Sequence, residues 1–460
     1  MDAPSRETLS TINDDGSRAF VHPHDVKGPY NFLRRSLFAV LIAVYVALPW
    51  IPVNGQPAVF LDVANRRFHL FGQTFVSQDF WLVFFLISGL AFSLFYVTAL
   101  FGRIWCGYAC PQTVFLEGLF RRVERWIDGP GPARERLAAT PLTPGKSARR
   151  LAKHLIYLLL ALGIAHVFMS YFVSLPGLYR MMTASPLTNW SVFLWVFVTA
   201  GILYFNFAWF REQLCIVICP YGRLQSALID DDSIVVGYDE NRGEPRGRAT
   251  DPQTGDCVDC FRCVNVCPTR IDIRQGLQME CIGCTACIDA CDDVMKKLGR
   301  PRGLIRYDSL NGLAGKTTRL LRPRTVLYTF LMLLGAAVFT YSVAQVGSFT
   351  GSALRMTGAP YYQQDGNIRN HFQVRVINKT AEPASFSITV TGNPEALVVQ
   401  TPESPLRLEP REERVTPVFL HLSNSEYRGS FPVEIRIEKE SGSETVTKAV
   451  TFLGPDATFP

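Results

Sequence analysis

Five stretches of the chain carry no Asp, Glu, Lys or Arg over a length that can cross a bilayer: Ser36–Val53, Phe80–Gly102, Leu155–Leu175, Trp190–Phe210 and Thr325–Gly347. A crossing takes about 20 apolar residues, so each stretch predicts a membrane-spanning helix, the first extended by its neighbours. Trp50, Trp81, Trp105, Trp190 and Trp209 sit near the ends of these stretches, where amphipathic rings settle at the interface. The pattern changes to period two beyond residue 357. Alternating runs at His371–Ile377, Ser385–Thr391, Arg414–Leu422, Pro432–Glu438 and Glu444–Phe452 are separated by turn residues such as Gly392-Asn393-Pro394 and Ser423-Asn424-Ser425. Strands at this spacing predict a β-sandwich. Between the first two helices, Val59–Val63 and Phe68–Phe71 flank a polar tetrad and predict a small hairpin.

Charge orients this layout. Arg6, Arg18, Lys27, Arg34 and Arg35 precede the first helix, and a dense Lys/Arg set follows the second. The two alternate loops hold only Arg66 and Arg67, and Arg180. Positive residues stay on the cytoplasmic side, so the N-terminus is expected in the cytoplasm and the chain beyond the fifth helix outside. The first helix reads as an uncleaved anchor, because Trp50-Ile51-Pro52-Val53 lacks a small-residue cleavage pattern. The expected domains are a cytoplasmic segment (1–35), four helices with a cytoplasmic loop at 103–154 (36–210), a cytoplasmic insert (211–324), a fifth helix (325–347) and an outer sandwich (357–460). The insert has 17 Lys/Arg and 16 Asp/Glu, the balance of a soluble domain.

Composition agrees with this reading. Of 460 residues, 48% are hydrophobic and only 19% charged, with a mean hydropathy of +0.12. The aromatic content argues against disorder, and no basic run interleaved with aromatics points to nucleic acid. All 12 cysteines fall between Cys106 and Cys291, a confinement that suggests metal or redox chemistry rather than disulfides.

The insert carries Cys257-x2-Cys260-x2-Cys263-x3-Cys267-Pro268, and a second copy at Cys281, Cys284, Cys287 and Cys291. This is the spacing of a two-cluster bacterial ferredoxin, in which the fourth cysteine of each run ligates the other cluster. It predicts two 4Fe-4S clusters at about 250–300, one on Cys257, Cys260, Cys263 and Cys291, the other on Cys281, Cys284, Cys287 and Cys267. Asp292 stands where the first run has Pro268, which leaves the ligands unchanged.

The remaining four cysteines form two similar units, Cys106-x3-Cys110-Pro111 after the second helix and Cys215-x3-Cys219-Pro220 after the fourth. An i, i+4 spacing would set both sulfurs on one helix face, with the proline marking a break. The four thiols could form a soft site for copper, act as a dithiol relay, or serve as buried small hydrophobes. His166, with Met169 three residues on, lies within the third spanning stretch, while His22, His24 and His69 are weaker copper candidates. No phosphate loop, dinucleotide fingerprint or nucleophile elbow is present. Electrons must therefore come from a protein or a quinol.

Phe60-Leu61-Asp62, Arg66 through Gly72, Asp79-Phe80, Cys106 through Thr113, Cys219 through Arg223, the double ferredoxin run and Arg369-Asn370-His371-Phe372 occur in one order along the chain. In these stretches it resembles the CcoG/FixG/RdxA family of membrane ferredoxins that accompany cbb-type cytochrome c oxidase assembly. The resemblance implies a bacterial inner-membrane protein whose outer sandwich is an immunoglobulin-like periplasmic domain. It also implies reduction of Cu(II) to Cu(I) for the oxidase, and the residues expected to handle the copper are the four thiols Cys106, Cys110, Cys215 and Cys219. Expected partners are membrane lipid, copper ions, a cytoplasmic electron donor, a copper-transporting ATPase or chaperone, and oxidase subunits. The rival functions are a polyferredoxin subunit of quinol dehydrogenase type and a non-redox assembly scaffold.

Overall fold

The computed structural model describes residues 20–251, 253–392, 396–401, 405–442 and 444–455. Arg6 and Arg18 of the charge count, and Asn393 and Pro394 of one expected turn, lie outside the described residues. Two compact units emerge: Met1–Ile51 with Leu82–Phe339, and Pro52–Trp81 with Thr340–Pro460.

Among the described residues, five helices are long and apolar enough to cross a membrane. They are α1 (Pro29–Ala47), α2 (Trp81–Phe101), α3 (Pro144–Ser170), α4 (Trp190–Phe205) and α5 (Pro323–Ala344). Two of them start well before their apolar stretches. In α1, Pro29 is pre-set for the first turn, and the Asp289 carboxylate accepts the Asn31 and Tyr30 N–H groups at 2.7 and 3.4 Å. In α3, the Thr143 hydroxyl accepts the Lys146 N–H and Pro144 follows it. Small side chains let α3 and α4 approach closely, with Ala161, Ala165, Val196 and Ala200 at most 2% exposed. Below this seam Phe120 stacks on Phe207 at 4.6 Å. On α5, Leu327, Phe330, Leu333 and Leu334 are exposed, as suits a helix bathed in lipid.

The insert is built on an antiparallel pair, Val235–Tyr238 against Ile305–Asp308, and two helices, Arg262–Asn265 and Ala286–Lys297. Val236, Ile273, Ile288, Met295, Leu304 and Ile305 form its core around the cysteine loops.

The second unit opens with a three-stranded meander, Val59–Asp62, Arg67–Leu70 and Gln73–Val76. The first two strands are the expected hairpin. The third, missed because Gln73 to Val76 has little alternation, adds His69–Thr74 pairing. The C-terminal region is a sandwich of two antiparallel sheets. One centres on Asn367–Asn378 paired with Glu413–Ser423, the other on Ala384–Gly392 paired with Phe431–Lys439. All five expected strands are present. Phe349–Arg355, Tyr362–Gln364, Val398–Gln400 and Leu406–Leu408 join them as shorter or flanking strands. Phe372, Val374, Phe386, Leu420, Ile435 and Phe452 face inward at no more than 1% exposure. That packing replaces the inter-sheet disulfide the sequence lacks.

Candidate metal centre

Each cysteine run folds as a loop that turns around its second cysteine. In the first, Asp259 and Phe261, on either side of Cys260, have φ of 51° and 53°. In the second, Gly283 and Thr285, on either side of Cys284, have φ of 64° and 61°. Left-handed residues at matching positions curl successive N–H groups inward, the geometry of an anion-holding nest. The fourth cysteines lie elsewhere, Cys267 beyond the helix Arg262–Asn265 and Cys291 inside Ala286–Lys297. That helix explains Asp292. A proline there would break the helix interior, whereas the Asp292 carboxylate accepts the Gly303 N–H at 2.9 Å.

Two small cavities open between these loops. Cys257, Cys260, Cys263 and Cys291 line one, together with Leu304 and Ile305. Cys267, Cys281, Cys284 and Cys287 line the other, with Cys263 at its rim. Burial pushes the Cys263, Cys281 and Cys291 thiols up to about 12 and Cys284 to about 11. Bare thiols here keep their protons, and a bound metal releases them. Among the described residues, no three His, Cys, Asp or Glu side chains gather as closely as a single ion requires. Sulfurs spread around a cavity rather than around a point suit a cube with iron at alternate corners. The donor set and the inward-turned N–H groups fit an iron–sulfur cluster in each cavity.

The two Cys-Pro units share a backbone. Cys110 donates its N–H to Trp105 O at 2.9 Å, and Cys219 donates its N–H to Leu214 O at 2.8 Å. Both turns run from residue i to residue i+5, one residue wider than an α-turn. Cys110 and Cys219 then cap the helices starting at Pro111 and Pro220 with nearly equal dihedrals, ψ 126° and 109°. The paired sulfurs are therefore not on one regular helix, as i, i+4 spacing alone suggests, because each proline ends the first helix at the cysteine before it. The four thiols still share one neighbourhood. Cys215 feels the charge of Cys110, Cys106 and Cys219, after a burial effect that pushes its thiol up to about 12. Cys106, pushed up to about 11 by burial, lies within 3.3 Å of the Gln225 amide on the helix that follows Cys219.

The first Cys-Pro unit sits directly on the second ferredoxin loop. A Cβ on Gly107 would meet the Gly283 carbonyl oxygen at 2.7 Å, so the two backbones touch where no side chain fits. Tyr108 and Thr285 hydroxyls bond at 2.7 Å, and the Arg34 guanidinium donates to Gly107 O at 3.0 Å. Cys106 packs against the cluster containing Ile282 and Cys284.

Comparison with known proteins agrees with this geometry. Residues 210–310 match a 4Fe-4S dicluster domain, residues 80–129 a 4Fe-4S binding domain, and residues 339–455 the IG-like fold at the C-terminus of FixG. The chain is 38% identical to protein RdxA of Cereibacter sphaeroides over 398 residues, covering 82% of this chain and 83% of RdxA. It is 34% identical to nitrogen fixation protein FixG of Rhizobium meliloti, covering 82% of this chain and 80% of FixG. The chain belongs to the FixG/RdxA family. It is a multi-pass membrane protein that transfers electrons through iron–sulfur domains, with an immunoglobulin-like C-terminal domain. A solved FixG-related protein from Vibrio parahaemolyticus covers 24% of this chain at 18% identity, with a TM-score of 0.22.

In this FixG/RdxA member the candidates His166, His24 and His69 find partners other than the thiols, while His22 lines a cavity that Cys267 also lines. His166 gives Nδ1 to Leu162 O at 2.7 Å within its own helix, and Met169 packs with Leu178 and Val196. His24 faces Glu135 at 3.4 Å, and His69 bonds Thr74 and stacks on Phe60. Sequence reasoning missed a buried charge network behind the Cys-Pro units. Glu124 meets Arg211 at 3.0 Å and Arg134 at 3.3 Å, while Arg121 meets Glu212 at 3.1 Å and reaches Pro268 O at 3.4 Å. Burial opposes the Glu124 charge, but Arg211, Lys153, Arg121 and Arg134 hold its carboxyl down at about 2. Arg121 and Glu124 look like an ordinary amphipathic helix in sequence, and only the fold brings Arg211 to them.

Proposed function

We propose that this protein is a membrane-bound cupric reductase that supplies Cu(I) during cytochrome c oxidase assembly. The observation that carries the reading is the backbone contact of Gly107 with Gly283, which sets the Cys-Pro thiols beside a cysteine-lined cavity. Cys257, Cys260, Cys263 and Cys291 hold one cluster, and Cys281, Cys284, Cys287 and Cys267 the other. When bound, these groups supply electrons one at a time. Cu(II), the substrate, binds among Cys106, Cys110, Cys215 and Cys219, takes one electron and leaves as Cu(I), the state that soft thiolates favour. The sulfurs are not gathered at single-ion spacing, so copper draws a subset of them together. Loose ligation suits a substrate that must leave for a copper-transporting ATPase or chaperone.

The same reading places the protein in a bacterial inner membrane. The N-terminus and residues 211–324 face the cytoplasm, where thiols stay reduced, and residues 357–460 face the periplasm. An impermeant thiol reagent applied from outside should label Ser425→Cys and spare Lys316→Cys.

The test is anaerobic reduction of Cu(II) by the purified, reduced protein, read with a Cu(I) chelator. The Cys110→Ser/Cys219→Ser variant should keep about eight iron per chain and lose saturable copper reduction. Unchanged turnover in that variant would sink the copper role and leave a polyferredoxin that passes electrons to another partner.

A further inference from the structure

One cavity of the membrane-proximal unit has no cysteine in its lining. It holds about 490 Å³, between the end of the helix Arg121–Asp128, the first turns of α3 and the last turns of α4. One wall is aromatic and apolar, formed by Tyr157, Tyr204, Phe205, Ala208 and Trp209. Phe205 is 53% exposed and Trp209 39% exposed, and both lie on a spanning segment, Trp209 at its interfacial end. The opposite wall is polar and holds His22, Asp128, Lys153 and His154.

Two buried acceptors on that wall have no partner. Asp128 gives Oδ2 to Lys153 Nζ at 2.5 Å, but its Oδ1 is buried and unbonded, on a side chain only 6% exposed. His22 Nδ1 is likewise buried and unbonded, and burial lowers the His22 pKa, which favours the neutral ring with an open lone pair. His154 and Tyr204 bond each other at 2.9 Å at the mouth. Arg134 and Arg211 pair with Glu124, Lys153 with Asp128 and Lys146 with Thr140 O, while Arg150 is exposed and the Nε atoms of Arg134 and Arg211 are buried without a hydrogen bond. The Glu124 and Asp128 carboxylates disfavour a phosphate headgroup, whereas the unbonded Asp128 oxygen accepts a hydroxyl. The ligand it fits has hydroxyl donors on a flat ring and an apolar tail.

We propose that this cavity binds the ring of a membrane quinol, whose hydroxyls donate to Asp128 Oδ1 and His22 Nδ1 while its tail leaves past Phe205 and Trp209. The placement has a use. His22 also lines a second cavity that reaches Cys267, and the buried network runs from Glu124 through Arg211, Glu212 and Arg121 to Pro268 O. A quinol ring here would thus sit one side chain, His22, away from the cavity that reaches Cys267. The binding claim stands whatever the electron acceptor is.

The test uses the full-length, oxidised protein in nanodiscs and a photoreactive benzoquinol carrying a decyl tail. The expected result is saturable labelling within residues 121–128, 150–157 or 204–211. An excess of unlabelled decylbenzoquinol should remove the label, and phosphatidylglycerol should not. Asp128→Asn should weaken binding at least about tenfold, the effect of losing a hydrogen bond to a charged acceptor. Ala208→Trp, which fills the cavity without touching the polar wall, should abolish labelling while iron content and melting stay unchanged. Competition by phosphatidylglycerol would reassign the cavity to lipid. Label outside these segments, or equal binding in both variants, would overturn the proposal.

Discussion

The ferredoxin loops and the Cys-Pro units are both duplicated cysteine motifs, with four cysteines per copy in the first and two in the second, yet they hold their sulfurs by different means. The loops use paired left-handed residues around Cys260 and Cys284 and sit in an apolar core with Ile288, Met295 and Leu304. The Cys-Pro units use prolines that interrupt helices, and they are backed by buried ion pairs and by the Gln112–Asn206 amide pair. The first arrangement fixes a cavity of set size, as a resident cofactor needs. The second leaves four thiols adjacent but not converged, as a passing ion or electron needs.

The sharpest break between the two would come from the loops. Cys263→Ala/Cys284→Ala should remove at least half of the iron of anaerobically prepared protein, assayed per chain. Retention of full iron would mean that the sulfurs are not ligands. Next comes the charge backing of the Cys-Pro units. Glu124→Gln strands Arg211 and Arg134 and should cost about 3–5 kcal/mol in denaturant melts. Because the Glu124 carboxyl is depressed in the fold, its contribution is full above the unfolded carboxylate value, near 4.5, and is lost as pH falls toward about 2. Wild-type stability should drop across that window more steeply than that of the Gln variant. A parallel pH profile would show that the ion pairs do not matter.

Gly107→Val tests the junction. Its side chain must displace the Gly283 carbonyl, at about 1–3 kcal/mol, and should slow Cu(II) reduction while leaving iron content intact. An unchanged rate would remove the contact from the electron path. The smallest effect is expected at Asp292→Asn, which keeps a hydrogen bond to Gly303 and should shift stability by less than about 1 kcal/mol. A larger loss would mean that the charge, not the bond, substitutes for proline.

Much of this was readable from residue spacing. Five charge-free stretches became five helices, and x2-x2-x3 spacing became two loops that turn around Cys260 and Cys284. Spacing works there because each feature is local or repeats itself. The misreadings come from partners, near or far along the chain, that residue spacing does not reveal. Helix α1 starts at Pro29, before its apolar stretch, because Asp289 caps it. The strand Gln73–Val76 exists because Arg67–Leu70 offers it an edge. Neither the Glu124–Arg211 network nor the cavity beside it leaves a period or motif that sequence alone could reveal.

The Asp289 cap also sets an order of events during synthesis. Asn31 leaves the ribosome 258 residues ahead of the carboxylate that holds its N–H. At about 5–20 residues per second, α1 waits roughly 13–50 s for that cap. By then α2, α3 and α4 have all been made. The first helix must enter the bilayer with its N-terminal donors still in water. The arrival of Asp289 then supplies the cap, after three further spanning helices have been made and before α5 has.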